Sequence, residues 1–375
     1  MADVYGLAHL VLGASSAAGG TEGFLGKRAH QWSGRVTVPR PGGFFRKTAI
    51  HYTRPLLDHP MPNSSGPSSR GPLERRGWTF QERVLARRFV SFGRYELLWG
   101  CGAAEDLYHE WRFAVAAPYS HRNLTFAKDK LVALSAVTRT FHERLGDLFL
   151  AGLWGEQLPR NLSWYSLHPG EVVRADADAD SAIPSWTWAS IKGGVSWSMA
   201  TRGFRFDTTC RVIEAESNPV SDINPFGSVK GGHLVLEGWF RPATVLSHAK
   251  GSKFWKEHLH GGFYNLKEWP ASSFYADVFL GTAKVEVDGD AIATAVGSLE
   301  TEEDNVPDEM DFPVWCFVLG THRSGQTSNA SVVVLGVSES HPGKFERVGF
   351  VELELGYRSA EDFFADWDVK VVTIL

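Results

Sequence analysis

The densest group of side chains able to do chemistry lies between residues 75 and 88, where the sequence reads RRGWTFQERVLARR. It combines five arginines with Trp78 and Gln81. Arginine and amide groups donate hydrogen bonds, and such donors stabilise an oxygen that gains negative charge during a reaction. Tryptophan adds a large apolar surface against which a ligand can pack. This stretch therefore predicts either part of a ligand site or one charged helix.

Two further groups, AIHYTRPLLDH and PSWTWAS, carry the same kinds of side chain. The first mixes polar donors ahead of a loop that could cover a cleft, and the second supplies two aromatic walls. The candidate catalytic residues are His51, Tyr52 and Gln81. The candidate substrate-binding residues are Arg54, Trp78, Trp186 and Trp188. We expect no metal at this site, because no set of ligands with metal-binding spacing accompanies these residues.

Local sequence rules explain part of residues 75–88 without a ligand. Thr79 and Glu82 fit the S/T-x-x-E capping box, in which the threonine hydroxyl caps the first turn and the glutamate reaches back to the threonine amide. We expect Val84 and Leu85 to face the core. Arg83, Arg87 and Arg88 would then point outward or pair with acidic residues. Gln81 and the arginines before the cap would then be available to a ligand.

The elements that must position these residues indicate an α+β fold with an aromatic-rich core. The first half reads as helical or mixed, and the second half as β-rich, since short β-type runs bounded by Gly, Pro, Asn and Asp follow one another there. We expect two regions, residues 1–170 and 171–375, packed as one compact unit. FVSFGRYELLWGC predicts a hairpin whose two-residue loop is Gly93-Arg94.

The clearest helix is predicted within KDKLVALSAVTRTFHERLGDLFLAGLW. Its apolar residues recur every three or four positions, which places them on one helical face. These residues are Leu131, Leu134, Val137, Phe141, Leu145 and Leu148.

Composition limits the classes of function. The net charge of −5 argues against non-specific binding to nucleic acid or to an anionic membrane, since both need a basic face. The 14 tryptophans and 24 phenylalanines indicate a β-rich core, an aromatic-lined pocket for a hydrophobic small molecule, or both. Glycine motifs that cradle nucleotides are absent from the sequence. We expect a cytoplasmic protein without a cofactor, and a homodimer stays open.

The segment PLERRGWTFQERVLARR resembles the motif that closes the fungal heterokaryon-incompatibility (HET) domain, PL-x-x-RAW-T-x-QE-R-x-L-x-x-R. The matching residues are Pro72, Leu73, Arg76, Trp78, Thr79, Gln81, Glu82, Arg83, Leu85 and Arg88. DVYGLAHLVLGASSAAGGTEGFLGKR is similar to an earlier segment of the family, and PSWTWAS to a later one. The resemblance runs in ordered patches along nearly the whole chain. HET domains normally begin with a TIR-like nucleotide-hydrolysing portion, which we expect to be missing here.

The resemblance implies a tailoring enzyme of fungal secondary metabolism, of the hetero-Diels–Alderase kind that forms tropolone sesquiterpenoids. Such a cyclase would join a quinone methide to a macrocyclic terpene such as humulene. The step needs two apolar reactants held in the right orientation and a donor that polarises an oxygen. Two alternatives stay open: a non-catalytic HET-related interaction or regulatory protein of heterokaryon incompatibility, and a residual nucleotide hydrolase. The sequence favours the enzyme.

Overall fold

The structure is a computed structural model. It describes residues 2–25, 32–39, 47–54, 71–86, 88–93, 97–101, 107–126, 128–166, 173–174, 182–197, 205–248, 264–270, 272, 274–278, 280–287, 290–297, 310–324 and 327–375. For residues 32–39, 47–54 and 97–101 it describes the backbone alone. The chain forms two compact units, Met1–Ala103 and Ala104–Leu375. The division expected near residue 170 stays a prediction.

The first unit combines short strands with short helices. Its elements are α1 (Ala2–Gly6), β1 (Val11–Gly13), β2 (Trp32–Pro39), β3 (Lys47–Arg54), a 3-10 turn (Leu73–Arg75), α2 (Thr79–Val84), β4 (Arg88–Phe92) and β5 (Leu97–Cys101). Strand β4 lies between β1, which runs parallel to it, and β5, which runs antiparallel. Strands β2 and β3 pair antiparallel with each other. The hairpin expected from FVSFGRYELLWGC is therefore confirmed.

Two details of the first unit correct the sequence prediction. The hairpin loop is not Gly93-Arg94, because Phe92 pairs with Leu97, whereas that two-residue loop would pair Phe92 with Tyr95. The capping box is also wrong, since α2 begins at Thr79 itself and the residue before it makes no side-chain cap. The Thr79 hydroxyl points backward instead, 2.7 Å from the carbonyl oxygen of Leu73 and 2.9 Å from that of Arg76.

The burial of α2 also differs from the expectation. Phe80 and Gln81 are the buried residues of this helix, whereas Val84 and Leu85 are only half-buried. Val84 and Leu85 follow Phe80 and Gln81 by four positions, so the two pairs lie on the same face and burial decreases toward the end of the helix.

The second unit begins with helices and short strand pairs. Its first elements are α3 (Leu107–Glu110), a π-helical segment (Trp111–Ala116), α4 (Ala117–Ser120), α5 (Asp129–Val132), α6 (Ser135–Leu145), β6 (Phe149–Leu150), β7 (Leu153–Trp154), α7 (Leu158–Asn161), β8 (Trp164–Ser166), β9 (Val173–Arg174), a 3-10 turn (Trp188–Ser190), β10 (Ile191–Lys192) and β11 (Val195–Trp197). Each of the pairs β6–β7, β9–β10 and β8–β11 is antiparallel. These elements form a layer whose interior is rich in tryptophan.

Helices α5 and α6 confirm helical structure in this stretch, but Ala133 and Leu134 interrupt the single helix that was expected. Four of the six expected face residues are buried, Leu131, Leu134, Val137 and Phe141. Gly146 then ends the helix with a positive φ of 66°, a conformation that glycine adopts without strain. Leu148 therefore lies beyond the helix and is 58% exposed, so its place on the inner face was wrong.

The rest of the second unit is almost entirely sheet. Its elements are β12 (Phe206–Thr208), β13 (Arg211–Pro219), β14 (Val229–Ser247), β15 (Tyr264–Leu266), β16 (Phe274–Ala276), β17 (Leu280–Val287), β18 (Asp290–Gly297), β19 (Asp311–Ser324), β20 (Thr327–Val337), β21 (Phe345–Gly356), α8 (Ala360–Phe363) and β22 (Asp368–Ile374). The chain as a whole is mostly β, which confirms the β-rich expectation. The expected helical first half is not borne out, because short strands alternate there with helices no longer than the 11 described residues of α6.

The long strand β14 organises the main sheet. Its first part pairs with β13 and β22, and its second part pairs with β15 and β19. Strands β19, β20 and β21 follow one another as antiparallel neighbours, and Phe345 of β21 meets Ile374 of β22. The pairings β14–β19–β20–β21–β22–β14 therefore close into a circuit.

The two faces of strands β19 to β21 serve different purposes. One face contributes to a large apolar cluster through Phe312, Val314, Cys316, Val318, Ala330, Val332, Val334, Val351, Leu353 and Leu355. The opposite face packs against α7 and β8, where Tyr165 lies over Phe350 with ring centroids 6.1 Å apart. Within the described part of the chain, no helix has the length and apolar character that crossing a bilayer requires.

Candidate functional site

The predicted site residues of the first unit lie on two separate elements. His51, Tyr52 and Arg54 belong to β3, where they are paired with Arg35, Gly34 and Trp32 of β2. Their side chains are outside the described part of the structure, so their catalytic and binding roles stay predictions. Gln81 is buried in α2 at 2% exposure, whereas Trp78, directly before that helix, is 41% exposed.

Trp186 and Trp188 belong to the second unit and are fully buried, each at 0% exposure. The Trp188 indole donates to the carbonyl oxygen of Gly152 at 3.0 Å. The Trp186 carbonyl accepts a hydrogen bond from the Trp164 indole, also at 3.0 Å. These contacts make both residues part of the core of the tryptophan-rich layer, and their role as pocket walls stays a prediction.

A group of polar side chains that the sequence reasoning missed lies on the sheet face opposite the apolar cluster. Strand register brings it together: Ser331 of β20 stands directly opposite Glu352 of β21, and His322 of β19 stands opposite Asn329, two residues earlier in β20. We call His322, Ser331, Glu352 and Tyr165 the His322 cluster. Since side chains alternate between faces, all three strand residues point to the side where β8 packs.

His322 is the centre of this cluster. Its side chain is 0% exposed, and its Nε2 atom lies 3.4 Å from Oε1 of Glu352. Neither ring nitrogen makes a well-aligned hydrogen bond to a described residue. Burial lowers the pKa of His322, and the nearby charge of Arg160 lowers it further. The carboxylate of Glu352 does not offset these two effects, so the ring is neutral at pH 7 and offers one donor and one acceptor.

Ser331 shares the same unused hydrogen-bonding capacity. It is 0% exposed, and its hydroxyl has no hydrogen-bond partner within the described part of the chain. A buried polar atom without a partner costs about 1–3 kcal/mol, and native proteins contain few of them. These two side chains on neighbouring strands of one face therefore keep hydrogen-bonding capacity that a ligand or a water molecule can complete.

An aromatic wall borders the cluster. Tyr165 contacts Tyr275 with ring centroids 4.5 Å apart, and it lies nearly parallel to Phe350. Burial raises the pKa of Tyr165, the neighbouring Tyr275 and Glu352 raise it further, and a hydrogen bond with Ser196 lowers it in part. Its hydroxyl therefore stays protonated at neutral pH and can donate. Tyr165 and Tyr275 are half-buried, so this side of the cluster reaches solvent.

A buried ion pair fixes β8 against the sheet beside this wall. Arg347 donates through Nε to Asp277 at 2.9 Å and through Nη1 to the carbonyl oxygen of Leu162 at 2.6 Å. Its guanidinium also donates to the Trp164 carbonyl and stacks on the Trp164 ring, 3.5 Å from the ring centre. Because these donors have partners inside the protein, the pair is structural. It holds Trp164, and hence its neighbour Tyr165, in place.

No family model, curated protein or solved structure matches this chain. What the geometry itself offers is a neutral imidazole, a phenol and a serine hydroxyl beside aromatic rings. Such an arrangement can bind a ligand oxygen and polarise it, or move a proton at it.

One other group has the residue types of a metal site. Glu214 and Glu216 of β13 and His233 of β14 place one ligand atom each within 4.8 Å of one another. Both glutamates are exposed, and His233 already lies 3.2 Å from Glu214. Carboxylate and imidazole groups could hold a divalent cation of the zinc type. The contact between His233 and Glu214 explains the arrangement without one.

Proposed function

We propose that this protein is a cofactor-free enzyme that binds hydrophobic natural-product intermediates and promotes a cyclisation or cycloaddition of the hetero-Diels–Alder type. The observation that carries the proposal is the fully buried imidazole of His322, which makes no well-aligned hydrogen bond to a described residue and contacts Glu352, a residue that also acts on the Tyr165 hydroxyl. The resemblance to HET-like proteins of fungal secondary metabolism supplies the reaction class. A cytoplasmic enzyme acting on a quinone methide and a terpene such as humulene is the form we propose.

The cycloaddition requires the protein to orient the two reactants and to polarise one oxygen atom. In the cycloaddition a carbon–carbon and a carbon–oxygen bond form together, and no group leaves. Holding both reactants in register supplies up to about 7–11 kcal/mol of the barrier in ideal cases. A donor at the reacting oxygen adds stabilisation as negative charge builds there. His322 and the protonated Tyr165 are the donors that we assign to this role.

A second candidate is a non-catalytic, HET-related interaction protein. Trp78 favours it, because this tryptophan is 41% exposed within the charged stretch 75–88. Exposed tryptophans flanked by arginine are typical of contact surfaces. In that case the first unit would carry the function, and the His322 cluster would have no role in it.

The cycloaddition assay decides between these candidates. The full chain is incubated with humulene and an ortho-quinone methide released in situ from a 2-(hydroxymethyl)phenol derivative, and adducts are separated by chiral liquid chromatography with mass detection. We expect adduct formation at least about tenfold faster than with heat-denatured protein, equivalent to about 1.4 kcal/mol, and an enantiomeric excess. Racemic adduct formed at the uncatalysed rate would overturn the enzyme proposal and favour the interaction protein.

A further inference from the structure

The His322 cluster changes from half-exposed to buried along one direction. Glu352 is 29% exposed and Tyr165 is half-buried, whereas His322 and Ser331 are fully buried. A ligand that enters from solvent therefore passes the carboxylate and the phenol before it reaches the imidazole. Its deepest atom must satisfy His322 and Ser331, because burial there without a partner is costly.

The charges around the cluster select against an ionic ligand. Arg160 is close enough to lower the pKa of His322, and Glu352 lies 3.4 Å from the ring. An anion would be attracted by Arg160 and repelled by Glu352. A cation would be repelled by Arg160 and attracted by Glu352. The opposing charges leave a neutral ligand as the best fit.

The unused atoms define the polar end of that ligand. A neutral imidazole has one donor and one acceptor, and a serine hydroxyl can act as either. A carbonyl oxygen or a phenolic hydroxyl complements such a pair. The rings of Tyr165, Tyr275 and Phe350 favour a flat aromatic body, since aromatic pairs prefer stacked or edge-to-face contacts.

We infer that the His322 cluster binds a neutral, planar molecule through a phenolic hydroxyl or a conjugated carbonyl oxygen, which is held by His322 and Ser331 while its ring packs on Tyr165. The inference rests on the proposed function, because it names the site and the reactant class of that reaction. It assigns the quinone-methide-like partner, and not the terpene, to this end of the site.

Three naphthalene probes test the inference on the full chain. The probes are 2-naphthol, which carries a neutral phenol, naphthalene, which lacks it, and 2-naphthoate, which is an anion. Binding is followed by probe fluorescence near pH 7. We expect 2-naphthol to bind at least about tenfold more tightly than either of the other two probes, the discrimination that one satisfied buried polar pair can give.

Variants then locate the binding. His322→Phe should weaken 2-naphthol binding at least about tenfold and leave naphthalene binding unchanged, and Ser331→Ala should act in the same direction with a smaller loss. His341→Phe is the matched control, because His341 is exposed on the loop between β20 and β21. Near-ultraviolet circular dichroism checks the fold of each variant. Should His322→Phe fail to fold, the smaller change Ser331→Ala decides the question.

Each outcome bears on one claim. Equal affinity for 2-naphthol and naphthalene, or unchanged 2-naphthol binding in folded His322→Phe or in Ser331→Ala, would overturn the inference. Stereoselective cycloaddition that persists in His322→Phe would leave the proposed function standing and remove this site from it. Loss of 2-naphthol binding in the variants without any cycloaddition by the natural protein would keep the inference on ligand class and reject the reaction.

Discussion

The Nε2 atom of His322 lies 3.4 Å from Oε1 of Glu352, although strand β20 separates the two strands that carry them. The residue of β20 opposite Glu352 is Ser331, which is small enough for two longer side chains to meet above it. A larger residue there would fill the space that both side chains use. The contact therefore depends on strand order, register and one small residue together.

The first prediction concerns the pH dependence that His322 introduces. Its pKa is lowered from 6.5 by burial first and by Arg160 second, so the folded ring resists protonation while the unfolded ring accepts a proton near 6.5. The neutral His322 ring therefore stabilises the fold in full above pH 6.5, the pKa of the unfolded ring. This stabilisation is lost as the pH falls toward the lower pKa of the folded ring. We expect the free energy of unfolding to drop more steeply between about pH 7 and pH 5 in the natural protein than in His322→Phe. If the free energy of unfolding, measured by urea denaturation, fell equally with pH in the two proteins, the pKa of His322 would not be lowered by folding.

The second prediction concerns the ion pair of Arg347 and Asp277, whose side chains are both 0% exposed. Removing one partner leaves the other charge buried and unpaired, which costs about 3–5 kcal/mol. We expect Asp277→Asn to lower the free energy of unfolding by about that amount. Glu237→Gln is the matched control, since the Arg211–Glu237 pair is exposed and such pairs contribute about 0–1 kcal/mol. Similar losses in the two variants by urea denaturation would contradict a structural role for the buried pair.

Local patterns predicted the local elements. Apolar spacing found α6, and two apolar runs around a glycine found the β4–β5 hairpin, because neighbouring residues alone decide such elements. The capping box failed because a threonine hydroxyl has more than one carbonyl within reach. Thr79 bonds back to the turn before the helix, a contact that depends on how residues 73–76 fold.

The His322 cluster could not be predicted from local patterns. His322, Ser331 and Glu352 are each single polar residues within or beside apolar β-type runs, and any one of them reads as a solvent-facing position. The register of three strands places them together, and α7 and β8 pack against these strands. The sequence did contain a weak signal for the cluster. FVELEL and SVVVLGVS place polar residues within strands whose apolar composition indicates burial on both faces.

The third prediction concerns Lys130, a lysine inside the tryptophan-rich layer. Its Nζ donates to the carbonyl oxygen of Ile191 at 2.5 Å and lies 5.1 Å from the centre of the Trp188 ring. Burial lowers the pKa of Lys130 from 10.5 to about 7. Between these two values the unfolded chain binds a proton that the folded protein does not, so the free energy of unfolding should rise with pH by a few kcal/mol, at about 1.4 kcal/mol per pKa unit.

Lys130→Met should flatten that rise, because methionine keeps the chain length and carries no charge. The exposed Lys128 provides the matched control, and Lys128→Met should leave the slope as it is in the natural protein. Guanidinium denaturation at several pH values from about 7 to 10 measures the slopes. A slope that Lys130→Met leaves unchanged would show that another group binds the proton.

The fourth prediction separates the two accounts of the start of α2. In a capping box Glu82 would bond the amide of Thr79, whereas the structure has the Glu82 carboxylate accepting a hydrogen bond from the Tyr5 hydroxyl. Glu82→Gln keeps an acceptor for Tyr5, so we expect the free energy of unfolding of the full chain to change by less than about 0.5 kcal/mol. Thr79→Val removes the hydroxyl that bonds to Leu73 or Arg76 and should cost about 1 kcal/mol. Because serine restores the hydroxyl, Thr79→Ser should recover most of that loss, and a Thr79→Val variant as stable as the natural protein would show that the hydroxyl bond contributes nothing.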